Sequence, residues 1–151
     1  MQKITTFLWF ENNAEEAALF YTSVFADSEI LDVTRLPDGK TSTVTYRLFD
    51  QQYIALNGGP HFTFTEAISL YVDCADQAEV DTLWTALLAD GGTESQCGWL
   101  KDKFGLSWQI IPRDLPRLLA DPDADKANRV LQAMLKMVKI DVQALHDAAN
   151  G

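Results

Sequence analysis

The sequence is poor in the side chains that hold metals or build disulfide frameworks. Its 151 residues include 2 cysteines and 2 histidines. Cys74 and Cys97 are too few for a disulfide scaffold or a structural zinc site. Cys74 follows an apolar strand and reads as core. Cys97, in "SQCGWL", reads as packing, with a place beside a pocket as the alternative. Long apolar runs are also missing. None reaches bilayer-spanning length, and "MQKITTFLWFENN" has no signal-peptide cleavage pattern, so the default compartment is cytoplasmic, with no membrane partner. Positive charge is scarce: 12 Lys and Arg face 22 Asp and Glu, for a net charge of -10 and a pI near 4.4. That balance argues against nucleic acid and anionic lipid as partners. No phosphate-cradling glycine motif and no G-x-S-x-G nucleophile elbow is present.

Ordinary globular patterning is present, at a length that suits one domain. "KITTFLWF" reads as a strand. Asn13 with Glu16 forms a capping-box pattern, and Ala14, Ala17, Ala18, Tyr21, Val24 and Phe25 follow as one helical stripe. "EILDVTRL", "TSTVTYRLF" and "QYIALN" follow as strands, the first two separated by the turn Pro37-Asp38-Gly39. The order then repeats. "AISLYVDC" is a strand, Asp76 and Glu79 repeat the cap pattern, and Val80, Leu83, Trp84, Leu87 and Leu88 form a stripe. "TESQ", "CGWLKDKF" and "LSWQIIP" supply three more strands. This is a tandem βαβββ pair. The modules occupy about residues 1–60 and 66–113. Residues 114–151 form a helical extension of the same domain, with helices opening near Asp123 and Asp141. The fold class is α+β, with the two modules joining concave faces into a cup-shaped sheet.

"FLWFENNAEEAALFYTSVF", "ALNGGPHFTFTEAISLYVDCADQAEVDTLW", "CGWLKDKFGLSWQIIP" and "AMLKMVKIDVQAL" resemble the PhnB-like subfamily of the vicinal oxygen chelate superfamily. That superfamily includes glyoxalases, bleomycin-resistance proteins and extradiol dioxygenases. The subfamily often carries the label 3-demethylubiquinone-9 3-methyltransferase. The resemblance implies a homodimer, and a cup in which the metal enzymes place His, Glu or Gln ligands on the first and last strand of each module. Aligned to that plan, the ligand positions fall at Thr6, Ala55 (Leu56 if the register slips by one), Ala67 and Gln109. Thr and Ala cannot hold a divalent ion in water, and Gln109 alone is a weak donor. Neither a metal nor another cofactor is expected, and metal-dependent lyase or dioxygenase chemistry is disfavoured. The methyltransferase label lacks support from the motifs, because a doubly wound sheet with a glycine-rich first turn is missing.

The resemblance to bleomycin-resistance proteins implies a cup that sequesters a small molecule without chemistry. The candidate contacts are Thr6, Leu8, Asn57, His61, Ser69, Tyr71, Cys97, Trp99 and Gln109. Asn57, Ser69, Tyr71 and Gln109 would orient a ligand, and Leu8 and Trp99 would wall it. Trp9, Trp84 and Trp108 read as core on the helix side. Two alternatives stand beside this reading. One is an enzyme with unusual metal ligands or a Cys97 nucleophile assisted by His61. The other is a dimeric structural or interaction protein. "NGGPH" reads as a connection between modules where glycine permits unusual φ or close approach. His61 is either a turn residue packed on Phe62 or the backbone, or a ligand contact. No partner for His146 is evident.

Overall fold

The computed structural model describes residues 2–151. The chain divides into two compact units, the first ending at Phe64 and the second running Thr65–Gly151.

The first unit contains β1 (Thr6–Phe10), α1 (Ala14–Val24), β2 (Ser28–Arg35), β3 (Thr41–Leu48) and β4 (Gln51–Asn57). Its sheet order is β1-β4-β3-β2, with β1 parallel to β4 and the other pairs antiparallel. The stripe read from sequence is buried: Ala14, Ala17, Ala18 and Tyr21 all turn inward. Small residues let α1 lie close to the sheet, and Tyr21 fills the remaining space. Its ring centroid is 6.0 Å from Tyr46, which stacks on Tyr53 at 5.4 Å.

That contact fixes which face of the sheet meets α1. Tyr46 pairs with Tyr53, Val44 with Ala55, and Ala55 with Leu8, so these residues share the α1 face. Leu8 is therefore buried beneath α1, at 3% exposure, and does not wall a cup. Thr6, in phase with it, lies on the same side. Trp9 is on the opposite face, against the expectation that it packs toward the helix. The reason is local. Phe7, Leu8, Trp9 and Phe10 are apolar at every position, so alternation does not choose a face.

The second unit repeats the plan with β5 (Ser69–Cys74), α2 (Gln77–Leu88), β6 (Thr93–Glu94), β7 (Trp99–Lys101) and β8 (Ser107–Pro112). Its order, β5-β8-β7-β6, is the same. Asp76 caps α2 by accepting from Glu79 N at 2.9 Å, while Glu79 Oε1 accepts from Ala75 N at 2.8 Å. The strands are shorter than the sequence suggested. Ala67 and Ile68 precede β5. Cys97 and Gly98 are not in a strand but form a left-handed turn with φ of 58° and 85°.

Three helices complete this unit: α3 (Asp114–Leu119), α4 (Ala124–Met134) and α5 (Val142–Asn150). They bury Leu115, Val130, Leu145 and Ala149 together with Ile111 of β8 and Ile140. Because α4 stops at Met134, Leu135 and Val138 fall beyond the stripe expected for it. The segment between α4 and α5 acts as a strap. Cys97 N donates to Met137 O and Gly98 N to Val138 O, each at 2.8 Å. Gln77 clamps the strap from α2, donating to Ile140 O at 3.0 Å and accepting from Val142 N at 2.7 Å. His146 has a partner after all: its Nε2 lies 2.7 Å from Asp114 Oδ2, joining α5 to α3.

Candidate functional site

The second sheet gathers four of the nine candidate residues on one face. Adjacent strands align Tyr71, Gln109 and Trp99 in one row, and Ser69, Ser107 and Lys101 in the next. The opposite face carries Leu70, Val72, Cys74, Leu100, Trp108 and Ile110, the apolar side covered by α2 with Val80, Leu83, Trp84 and Leu87. Ser69, Tyr71, Trp99 and Gln109 thus turn away from α2. Gln109 Nε2 donates to Ser69 Oγ at 3.0 Å, which orients the amide. Tyr71 is 54% exposed, and partial burial followed by the charge of Asp73 raises its phenol above the ordinary value. It is a neutral hydrogen-bonding group at physiological pH. The tail closes one end of this face, where Ile111 meets Ile140 next to Gly98. Cys97 sits at that end, half-buried in the turn the strap holds.

A cavity of about 290 Å³ opens beside these rows, lined in part by Trp99, Lys101, Ser107, Glu66 and Glu94. Lys101 Nζ pairs with Glu66. That hydrogen bond, then the residue's own backbone N–H, holds the Glu66 carboxyl below its usual value. Ser107 is 1% exposed and its Oγ has no hydrogen-bond partner among the described residues. A buried, unpaired hydroxyl in a cavity wall is costly unless something fills its need. Sequence reading missed Ser107, Lys101 and Glu66. The available signal was Ser107 itself, a hydroxyl in phase with Gln109 in an otherwise apolar strand.

The other candidates lie in the first unit and do different work. Asn57 faces α1 and caps it, its Oδ1 accepting from Ala14 N at 2.8 Å and its Nδ2 donating to Thr41 O at 3.1 Å. Asn13, expected to cap, makes no side-chain cap bond. The "NGGPH" loop is built around Trp9. The indole Nε1 donates to Gly59 O at 2.9 Å, and a Cβ on Gly58 would lie 2.3 Å from the indole Cε2. Gly59 takes φ +88°. His61 is exposed, its N donating to Gly59 O at 3.0 Å. Its ring stands edge-on to Trp9 at 6.4 Å, and Phe62 packs on the same indole at 4.9 Å. Gly58 therefore serves close approach of Trp9, and Gly59 serves the left-handed turn that follows.

The family matched over residues 2–111 is described as 3-demethylubiquinone-9 3-methyltransferase. The PhnB protein of Bacillus cereus is 40% identical over 74% of this chain and 99% of its own, with a TM-score of 0.68. This chain is a PhnB-like member of the vicinal oxygen chelate superfamily. A Pseudomonas aeruginosa protein, 17% identical, covers 74% of this chain and 98% of its own at TM-score 0.61. A glyoxalase/bleomycin resistance protein from Albidiferax ferrireducens, 19% identical, covers 74% and 100% at TM-score 0.51. Both share the fold. No curated protein matches significantly. The family match spans residues 2–111 and does not reach α3, α4 and α5, so the resemblance read in the tail block stays an expectation.

The divalent ion of the superfamily's metal enzymes does not fit the residues present. With the corrected register, β1 and β4 of the first unit present Phe7, Trp9, Ile54 and Leu56 away from α1. In the second unit Gln109 is committed to Ser69. Among the described residues, no three His, Cys, Asp or Glu side chains gather as metal ligands.

Proposed function

We propose that this PhnB-like chain binds a small molecule on the face of the second sheet turned away from α2, without a divalent metal. The observation that carries this reading is the juxtaposition of Ser69, Tyr71, Trp99 and Gln109, with hydrogen-bonding groups beside an indole wall. Methyl transfer gains no support, because the two mixed four-stranded sheets offer no doubly wound nucleotide-binding crevice. A homodimer and a cytoplasmic setting belong to the same reading. Family resemblance supports the first, and two unpaired cysteines fit the second. No described helix is long and apolar enough to cross a membrane.

The test is metal analysis of the purified protein together with native mass spectrometry for a co-purified small molecule. The reading expects metal far below one equivalent and a bound organic species that Gln109→Ala releases. One tightly held divalent ion per chain would overturn it.

A further inference from the structure

Three of the 4 tryptophans spend their indole N–H inside the protein. Trp9 Nε1 donates to Gly59 O, Trp84 Nε1 to Glu94 Oε1 and Trp108 Nε1 to Asp102 Oδ2. Trp99 differs. It is half-buried in the wall of the cavity of about 290 Å³, and its N–H has no partner among the described residues. An indole nitrogen can only donate. Ser107 lines the same cavity and brings a second unspent donor, its buried hydroxyl.

Charge on this face does not choose the occupant. Lys101 and Glu66 pair with each other. Glu94 is in register with Leu100 and takes the Trp84 N–H, so its carboxylate lies on the α2 side of the sheet. Thr93 and Ser95 add only neutral hydroxyls to the lining.

From two unspent donors beside a cancelled charge pair we infer that this cavity takes an uncharged ring compound bearing a carbonyl group. The carbonyl oxygen has two lone pairs and accepts from Trp99 Nε1 and Ser107 Oγ together. The space lies at the small end for ligand sites, enough for one ring with a short substituent. The inference rests on the small-molecule reading above and narrows it to a chemical class. A carboxylate would find the cavity's lysine already paired. An ammonium would bring only donors to a wall that already presents donors.

Three probes of similar shape separate the possibilities: acetophenone, benzoate and benzylamine. Each is titrated into isotope-labelled full-length protein while the indole Nε1 signals are followed by NMR, that of Trp99 assigned with Trp99→Phe. Acetophenone is expected to bind roughly tenfold more tightly than either charged probe. It should move the Trp99 N–H downfield and leave the three bonded indoles in place. Ser107→Ala should weaken acetophenone about fivefold. Because that residue is buried in a strand, Glu66→Gln at an exposed position is the second variant. It frees Lys101 and should tighten benzoate about fivefold, closing much of the gap to acetophenone. If benzoate or benzylamine binds the wild type as well as acetophenone, or Glu66→Gln leaves benzoate where it was, the carbonyl class is wrong while the binding face stands. If none of the three moves the Trp99 signal, both the class and this face as the site are overturned.

Discussion

The two modules share one topology and differ in how much sheet each possesses. In the first, β2, β3 and β4 run 8, 8 and 7 residues. In the second, the equivalent β6, β7 and β8 run 2, 3 and 6. The long sheet completes its own hydrogen bonding and core. The short one borrows from the tail, whose strap accepts from Cys97 N and Gly98 N and whose Ile140 packs beside Ile111. The faces turned away from the helices differ as well. Beside the polar Thr43, Thr45 and Arg47 of β3, the first presents the apolar Phe7, Trp9, Ile54 and Leu56; the second presents Ser69, Tyr71, Gln109, Lys101 and Ser107 beside Trp99. A repeated order of elements has therefore not repeated the chemistry. The polar floor lies in the module that needs outside support.

If the second module depends on the strap, cutting the strap's anchor should cost most. Ile140 is fully buried. Ile140→Ala is expected to lower stability by about 3 kcal/mol, within the range for truncating buried aliphatic residues. Urea melts measure the loss. Hydrogen exchange should show protection falling first at Cys97 and Gly98. A loss below about 1 kcal/mol would mean that the second sheet stands without its tail, and the contrast between modules would dissolve.

The first module should break at a different place. Gly58→Ala puts a methyl into the Trp9 indole, so the ring must leave or the loop must shift. A cost of about 2 kcal/mol is expected, as for other overpacked positions. Gly39, with open space around it and φ +86°, is the control. Alanine there pays only the left-handed backbone penalty of about 1 kcal/mol. Equal melting shifts for the two variants would show that the indole does not constrain Gly58.

Helix capping separates the modules next. α2 is capped from within its own sequence by Asp76, whereas α1 is capped by Asn57, forty-three residues after the Ala14 amide it serves. Each alanine variant should cost about 1 kcal/mol. Asn57→Ala should additionally loosen β3 near Thr41, because Nδ2 bonds that carbonyl. Asn13→Ala should do almost nothing, since its side chain caps no amide. Thermal melts of the three variants suffice.

These results also mark how far the sequence could be read. Helical stripes, the Pro37-Asp38-Gly39 turn and the Asp76 cap were legible because each is local, a matter of spacing or turn chemistry within a few residues. So was the βαβββ order, repeated. What escaped was set by contacts distant in sequence. The face of β1 depends on Tyr21, Tyr46 and Tyr53 meeting, and an unbroken apolar run carries no phase. The Asn57 cap and the His146–Asp114 pair span 43 and 32 residues. Of the face proposed as the site, Ser69 and Tyr71 were read by alternation along a strand, Gln109 from the last-strand ligand position of the metal enzymes, and Trp99 from its place beside Cys97 and Gly98. Lys101 and Ser107 sit on the same face but outside the positions where the metal enzymes keep ligands, and strands this short give little alternation to read.

The smallest effect is electrostatic and sharpens the contrast by pH. Lys139 Nζ lies 2.7 Å from Asp81 Oδ1, tying the strap to α2. The hydrogen bond from Lys139, then that from Gln77, lowers the Asp81 pKa below its ordinary 3.8. A carboxylate depressed in the folded state stabilises it above the unfolded value, and that stabilisation disappears as pH falls through the folded one. Wild type should therefore melt slightly above Asp81→Asn at pH 7, the gap being small for so exposed a pair. It should close as the pH drops below the ordinary aspartate range. The first module offers the matched case. Glu15 is held below its ordinary value by hydrogen bonds from Thr41 and then Arg35, so Glu15→Gln should show the same acid closure. Only the Asp81 variant should also speed exchange at Cys97 and Gly98 at neutral pH, because only that carboxylate holds the strap. If Glu15→Gln accelerates those same amides, the two modules are not mechanically separate and the comparison fails.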